Sequence, residues 1–524
     1  MDSRQQKYTT LILIVLSVLT IITGVVIFIH PPAIFPDPSW GYQVLKSMQH
    51  GGGFNMRINP DHDNIAANYR EFLSWWSPGQ YLLPLLFKSI FSLNLGQTSV
   101  VTITVCALIG LFGFYQFFKK IGFSAIISVL SVAFIACQQA YVAPYIFYNG
   151  GEVLLFAFAG WFLYGCFSFE RVNNWKPLLF ILAAGLIGFF CKSSFMWIYA
   201  AGLLCLWIRV SQSSKEIVKW IINGIWMGIP AVASVAIIFF GYLSRGHNPA
   251  SQSHHIRLAL ETFAFPLASP VLAGFSGDDL VHGLLFHPDG PMFTPKGTIL
   301  VLIAMTIVSV WLMYVLLKYV NNKNYRLVLG VFYGVAFLFF SYAYLRQLAI
   351  SYEGRHFRIV GLLIVPGTLY LVSRAKAIYK VLFGLIWLFI AITSVGFLSH
   401  GYKVNIDEGV HGPSGLTQQF IDQETLNFVL QQDKLHSDAI FVFVSPDLGL
   451  EINHCRFITL QPIPKHSHID MYDYSYKGHA GPIYIVLPID YQGVRAGIIE
   501  RGFRGYRNFK RALITDDYVV LKAE

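Results

Sequence analysis

Apolar residues come in long blocks, not in the short alternating runs of a soluble sheet. The first block runs from Tyr8 to Ile29. Others follow at 98–118, 122–140, 152–169, 177–191, 195–210, 217–243, 297–318, 327–345, 359–373 and 378–398. A bilayer core about 30 Å thick is crossed by a helix of roughly 20 residues, so these blocks predict about eleven membrane spans. Tyr81–Leu95 is apolar but short, and it carries Pro84 and Lys88. It predicts an interfacial or re-entrant helix rather than a crossing. Two long connections, 31–97 and 244–296, are expected outside the membrane. The second holds an apolar stretch, 258–275, expected to lie in the interface.

The pattern changes near residue 401. Thr417–Gln432 has the spacing of an amphipathic helix. Ala439–Val444, Arg456–Leu460, Ile483–Leu487 and Tyr518–Lys522 read as strands, and Gly493–Arg501 as a helix. The expected architecture is an α-helical polytopic membrane domain over 1–400 followed by a small soluble α/β domain over 401–524. No GxGxxG follows a strand in that domain, so no nucleotide site is assigned to it. No internal repeat is evident, which weighs against a transporter built from inverted repeats.

Composition agrees with this pattern. Of 524 residues, 55% are apolar and 13% are charged, and mean hydropathy is +0.54. A soluble domain carries about a quarter charged residues, so an ordinary soluble protein is excluded. The formal charge of +10 is read as cytoplasmic Lys and Arg rather than nucleic-acid binding. Lys119-Lys120, Arg171 with Lys176, Arg209 to Lys219, Lys318 to Arg326 and Arg374 to Lys380 fall on one side, together with Arg4 and Lys7. With an odd span count, the N-terminus is expected in the cytoplasm and the C-terminal domain outside a bacterial inner (plasma) membrane. Tyr8–Ile29 is too long for a signal-peptide core and no small-x-small cleavage site follows it, so it reads as an uncleaved span. The six cysteines show neither zinc spacing nor a disulfide framework and read as small buried hydrophobes.

Candidate chemistry gathers in the first outer segment. It reads Phe35-Pro-Asp37-Pro-Ser-Trp-Gly-Tyr42, then Gly51-Gly-Gly53-Phe54, then Pro78-Gly-Gln-Tyr81-Leu-Leu-Pro84. Downstream come Tyr148-Asn-Gly-Gly-Glu152, Gly185-Leu-Ile-Gly188-Phe-Phe-Cys-Lys192 and Glu353-Gly-Arg355-His356-Phe-Arg358 before a span with Pro366. This order resembles the lipid-phosphosugar-dependent membrane glycosyltransferases of the GT-C fold, which include protein O-mannosyltransferases and lipid A aminoarabinose transferases. The likeness covers about residues 1–400 and departs at Asp37-Pro38, where many members carry two adjacent acids.

The resemblance implies a polyprenyl-phosphate-linked sugar as donor and a lipid, glycan or protein as acceptor at the outer face, with inversion. It implies Asp37 as general base and Lys192, Arg355, Arg358 and His356 as donor-phosphate partners. Tyr42, Glu152, His255 and Glu353 are further candidates for substrate contact. A divalent cation serves part of this fold family, so the resemblance admits one without requiring it, and no metal ligands are assigned. Membrane lipids are expected partners; nucleic acid is not.

Other readings of these residues stand beside this one. Asp37 before Pro38 also suits a helix N-cap. Lys192 at a span end suits a snorkelling lysine. Glu152 suits a cap, and Arg346–Arg358 a solvated loop. Asp61-His62-Asp63 and the Lys465-His466-Ser-His468-Ile-Asp470 run carry metal-ligand side chains, but both suit polar loops. Two other functions compete. A transporter or flippase calls for charges in mid-span. An O-antigen ligase or polymerase carries its catalytic groups in a large late loop.

Overall fold

The computed structural model describes residues 3–246, 256–279, 294–463, 470–491 and 493–524. Among them, seven helices are long and apolar enough to cross a membrane: Gln5–Ile29, Leu95–Lys120, Ile217–Arg245, Lys296–Tyr319, Lys323–Leu345, Gly354–Arg374 and Ala377–Asp407. Ala125–Ala136 and Gln139–Tyr145 meet the same test as a pair bent by 70°. The chain is an integral membrane protein. Three expected spans are shorter apolar helices, Gly151–Cys166, Trp175–Cys191 and Phe195–Ser211. Such segments satisfy every backbone donor and acceptor internally, as hydrocarbon demands. Side chains close the helix starts where water is near. Asn322 Oδ1 accepts from Tyr325 N at 3.0 Å and Thr294 Oγ1 from Gly297 N at 3.2 Å.

The chain forms two compact units. The first comprises Met1–Gly24, Ile103–Pro144 and Gly151–His400. Its core is a continuous apolar cluster rich in Phe, Leu, Ile and Val. The stretch expected to lie in the interface is also packed against neighbouring helices. It forms helix Leu260–Gly274, whose Thr262, Ala264, Ala268, Leu272 and Ala273 are buried. Small residues allow this close approach: a Cβ on Gly361 would meet Ala273 O at 2.1 Å. Hydroxyls complete the packing, Ser309 Oγ donating to Ala268 O at 2.9 Å and Tyr333 OH to Leu267 O at 2.9 Å. By contrast, Ala377–Asp407 presents Ile378, Val381, Leu385 and Leu388 outward, as a lipid-facing helix does.

The second unit comprises Val25–Thr102, Tyr145–Gly150 and Gly401–Glu524. The first outer segment therefore packs in one unit with the C-terminal segment. It begins with strand β1 (Ala33–Ile34), helix Pro36–Gln49, and the hairpin β2 (Met56–Pro60) and β3 (Asn68–Phe72). Helix Gly79–Phe91 follows and stops after 13 residues at Ser92, in the left-handed region with φ 53°. Strand β4 (Phe147–Tyr148) pairs parallel with β1. After residue 401 come β5 (Val410–His411), β6 (Thr417–Gln418), β7 (Ile440–Phe443), β8 (Arg456–Thr459), β9 (Ile483–Pro488), β10 (Lys510–Ile514) and β11 (Tyr518–Ala523).

The last five strands form one sheet in the order β10-β11-β9-β7-β8. β7 runs parallel to β8 and β9, and β11 antiparallel to β9 and β10. Alternation along β7 divides its side chains between two layers. Ile440 and Val442 join Ala496 and Ile499 of helix Val494–Gly502, while Phe441 and Phe443 join Leu426 and Val429 of helix Gln423–Leu435. That helix starts six residues later than its spacing predicts, because Thr417–Gln418 is drawn into β6 and Asp422 supplies the cap. Ile65, from the first outer segment, is fully buried in the first of these layers.

Candidate active site

In the first unit, three backbone ends converge. Helix Gly151–Cys166 begins, helix Trp175–Cys191 ends, and a single turn, Gly354–Phe357, leads into helix Arg358–Arg374. Glu152 sits in the first turn of its helix, where the dipole favours a carboxylate. Lys192 is the C-cap of its own helix, its N–H donating to Gly188 O at 3.0 Å. Their approach depends on Gly151, where an added Cβ would lie 3.0 Å from Cys191 O and 3.2 Å from Lys192 Cβ.

One carboxylate oxygen organises the cluster. Glu152 Oε1 takes an ion pair from Lys192 Nζ and lies 3.6 Å from Arg355 Nη1. Glu353 Oε2 pairs with Arg355 Nε at 2.5 Å. The side chains are only 16% (Lys192), 19% (Glu152) and 29% (Arg355) exposed, so water screens them weakly. Two cations held this close would repel, and the shared carboxylate is what makes the pairing stable. An ammonium has three donors and Glu152 accepts one of them.

The turn beside Arg355 is anchored from below. Gly354 N donates to Asp278 Oδ2 at 2.9 Å, and a Cβ on Gly354 would strike Asp278 Cβ at 2.6 Å. Phe357 is fully buried, its ring 4.3 Å from that of Phe340. His356 Nε2 lies 3.2 Å from Ser351 Oγ, with its ring over Phe340. Tyr344 stacks on Tyr352 at 4.1 Å and donates to Ser351 O at 3.2 Å. The segment is thus a built loop, not a freely solvated one. Within it, Arg358 Nη1 and Arg346 Nε are buried with no hydrogen-bond partner among the described residues. A buried cationic N–H without an acceptor is costly and suits an anionic guest.

In the second unit, Asp37 lies at the start of helix Pro36–Gln49 and is partly exposed. The N-cap is Phe35, with no side-chain cap, so Asp37 is one residue inside the helix rather than its cap. Two left-handed glycines end the segment, Gly51 at φ 80° and Gly53 at φ 87°. Tyr42 is fully buried. Its hydroxyl lies 2.6 Å from Ser99 Oγ and its ring stacks on Tyr148 at 5.7 Å. Burial keeps this phenol protonated, well above its ordinary range. Tyr42 therefore packs the β1–β4 region.

His255 lies outside the described residues, as do His466 and His468. The neighbouring Arg257 pairs with Glu261 at 3.7 Å. His62 stacks on Tyr472 and Tyr476, and Asp63 pairs with Lys477 at 2.7 Å. Among the described residues, no three or more His, Cys, Asp or Glu side chains gather as metal ligands.

No protein-family model matches the chain, and no curated protein matches it. Solved structures do. An apo oligosaccharyltransferase from Archaeoglobus fulgidus superposes with a TM-score of 0.50 and 11% identity, over 95% of this chain and 72% of that one. The chain has the GT-C fold. ArnT from Cupriavidus metallidurans, bound to undecaprenyl phosphate, is also similar, with a TM-score of 0.49 and 10% identity over 97% of both chains. So is the mycobacterial arabinofuranosyltransferase AftD, at 0.49 and 12%, where this chain spans 41% of the longer protein.

Sequence reasoning thus named four members of one cluster in this GT-C chain: Glu152, Lys192, Arg355 and Glu353. It missed their supports. Asp278 carries no local signal, because its partner is the backbone of a residue 76 positions away. Arg346 was legible only as one cation in a charged loop.

Proposed function

We propose that this chain is a glycosyltransferase that moves a sugar from a polyprenyl-phosphate donor to a lipid, glycan or protein acceptor at the outer face of the membrane. The observation that carries the reading is the arginine-rich loop on the GT-C fold. Among the described residues, its Arg346 and Arg358 keep buried donors without acceptors, close in sequence to the Arg355–Glu152–Lys192 cluster. A prenyl phosphate would present its anion at the end of an apolar helix, where these donors lie. The chain's GT-C fold, shared with an oligosaccharyltransferase, supports the same reading.

In the proposed reaction, the acceptor oxygen or nitrogen attacks the anomeric carbon as its proton passes to the Asp37 carboxylate. The bond from that carbon to the phosphate oxygen breaks, and the phosphate leaves with the electron pair. Lys192, Arg355 and Arg358 stabilise the charge that develops on it. Attack opposite the leaving group inverts the anomeric configuration. No step is assigned to a metal ion.

Mass spectrometry of lipid co-purified with the protein tests the donor class, and a polyprenyl phosphate or its glycoside is expected. Asp37→Asn is expected to bind undecaprenyl phosphate normally while abolishing transfer. Near-normal transfer by that variant would remove Asp37 as the base. Movement of the lipid-linked sugar across proteoliposomes without covalent change would overturn the transferase reading.

A further inference from the structure

The parallel strands β8, β7 and β9 lie side by side in the second unit, with β7 in the middle. In open α/β sheets the crevice beyond the carboxyl ends of such strands is the usual ligand position. Here the chain's own helix Pro36–Gln49 reaches into it. Gln43 Nε2 donates to Pro446 O at 2.6 Å, just past the end of β7, and to Thr459 Oγ1 at 3.3 Å, on the last residue of β8. One turn on, Lys46 Nζ donates to Leu450 O at 3.1 Å and Gly449 O at 3.4 Å, and stands 6.0 Å from the Phe457 ring centre.

These contacts are directional and costly. Gln43 is 1% exposed. Burial of Lys46 lowers its ammonium to about 8, against the opposing charges of Glu451 and Asp433. Apolar side chains would join helix to sheet with no such desolvation cost. What carbonyl-directed donors add is a fixed orientation. A helix is stiff, so a clamp at positions 43 and 46 sets the direction of its first turn, about 9 Å away, where Asp37 lies. We propose that Gln43 and Lys46 are positioning residues for Asp37, and that through them the C-terminal sheet orients the catalytic helix. This rests on the reading of Asp37 as the base.

The full-length protein would be assayed with the lipid-linked sugar fraction extracted from source membranes. Gln43→Leu and Lys46→Met are expected to lower kcat about 10–100-fold with donor KM held within about twofold. Lys46→Arg is expected to restore most of the loss. Hydrogen exchange of amides 39–49 should rise in Lys46→Met while β7 and β9 stay protected. Unchanged kcat, or losses in kcat, KM and melting temperature that move together, would overturn the proposal.

Asp37→Asn separates the two claims. If it turns over normally, the base assignment fails. The clamp is then judged by exchange alone, and unaltered protection of 39–49 in Lys46→Met removes it. If the helix variants do not fold, Thr459→Val deletes one acceptor without touching the helix. It should raise exchange of 39–49 and lower kcat, and no change in either refutes the clamp.

Discussion

Arg355 Nη1 lies 3.6 Å from Glu152 Oε1, the same oxygen that receives the Lys192 ammonium. The carboxylate is therefore a shared counter-ion. Glu152→Gln leaves two half-buried cations facing each other without it. The expected loss is about 1–3 kcal/mol of stability, seen as a lower melting temperature in detergent that added phosphate partly restores. An unaltered melting temperature would mean the pair contributes nothing.

If this cluster takes a prenyl phosphate, charge alone will not replace geometry. Arg355→Lys keeps the cation but loses the planar fork. It is expected to weaken binding of undecaprenyl phosphate about tenfold, and Lys192→Ala similarly. Native mass spectrometry with a titrated lipid would measure both. Equal affinity in the two variants and the parent places the phosphate elsewhere.

Gly354 has no room for a side chain, since a Cβ would lie 2.6 Å from Asp278 Cβ. Gly354→Ala should force the turn away from Asp278 and break the 2.9 Å bond from Gly354 N. A cost of about 1–3 kcal/mol is expected, with weaker lipid binding as Arg355 shifts. Thermal unfolding and the same titration read both effects.

Asp433 supplies a pH signature in the second unit. Burial raises its pKa, but N–H donors from Asn453, His454 and Cys455 and the His454 ring outweigh it, so the net shift is downward. Its folded value thus lies below the unfolded value of about 3.9. The stabilisation is complete above the unfolded value and is lost as pH falls through the folded one. Proteolytic protection of residues 423–459 should drop more steeply below about pH 4 in the parent than in Asp433→Asn. Parallel profiles would refute it.

Much of the fold was legible because the relevant forces are local. A helix in hydrocarbon needs only its own backbone and a run of apolar side chains, so the blocks at 98–118, 327–345 and 378–398 map onto Leu95–Lys120, Lys323–Leu345 and Ala377–Asp407. The strands at 439–444 and 483–487 were legible from their run of β-branched and aromatic residues, and the structure pairs them as β7 and β9. β10 was not, because Lys510 and Arg511 on an exposed edge break the apolar pattern.

What the chain's order could not decide is which distant residues share a core or a charge. Periodicity marks 258–275 as apolar, yet only the small side chains of partner helices determine that it is buried. Tyr42 stands in a suggestive motif, but the Ser99 hydroxyl and the Tyr148 ring make it a packing residue. Glu152, Lys192 and Arg355 were individually visible as charges beside apolar runs. That two of them meet on one oxygen of the third is a tertiary fact. The reason is physical: local sequence sets backbone conformation, whereas charge pairing depends on atoms within about 4 Å, which residues 40 and more positions apart reach only when the chain has folded.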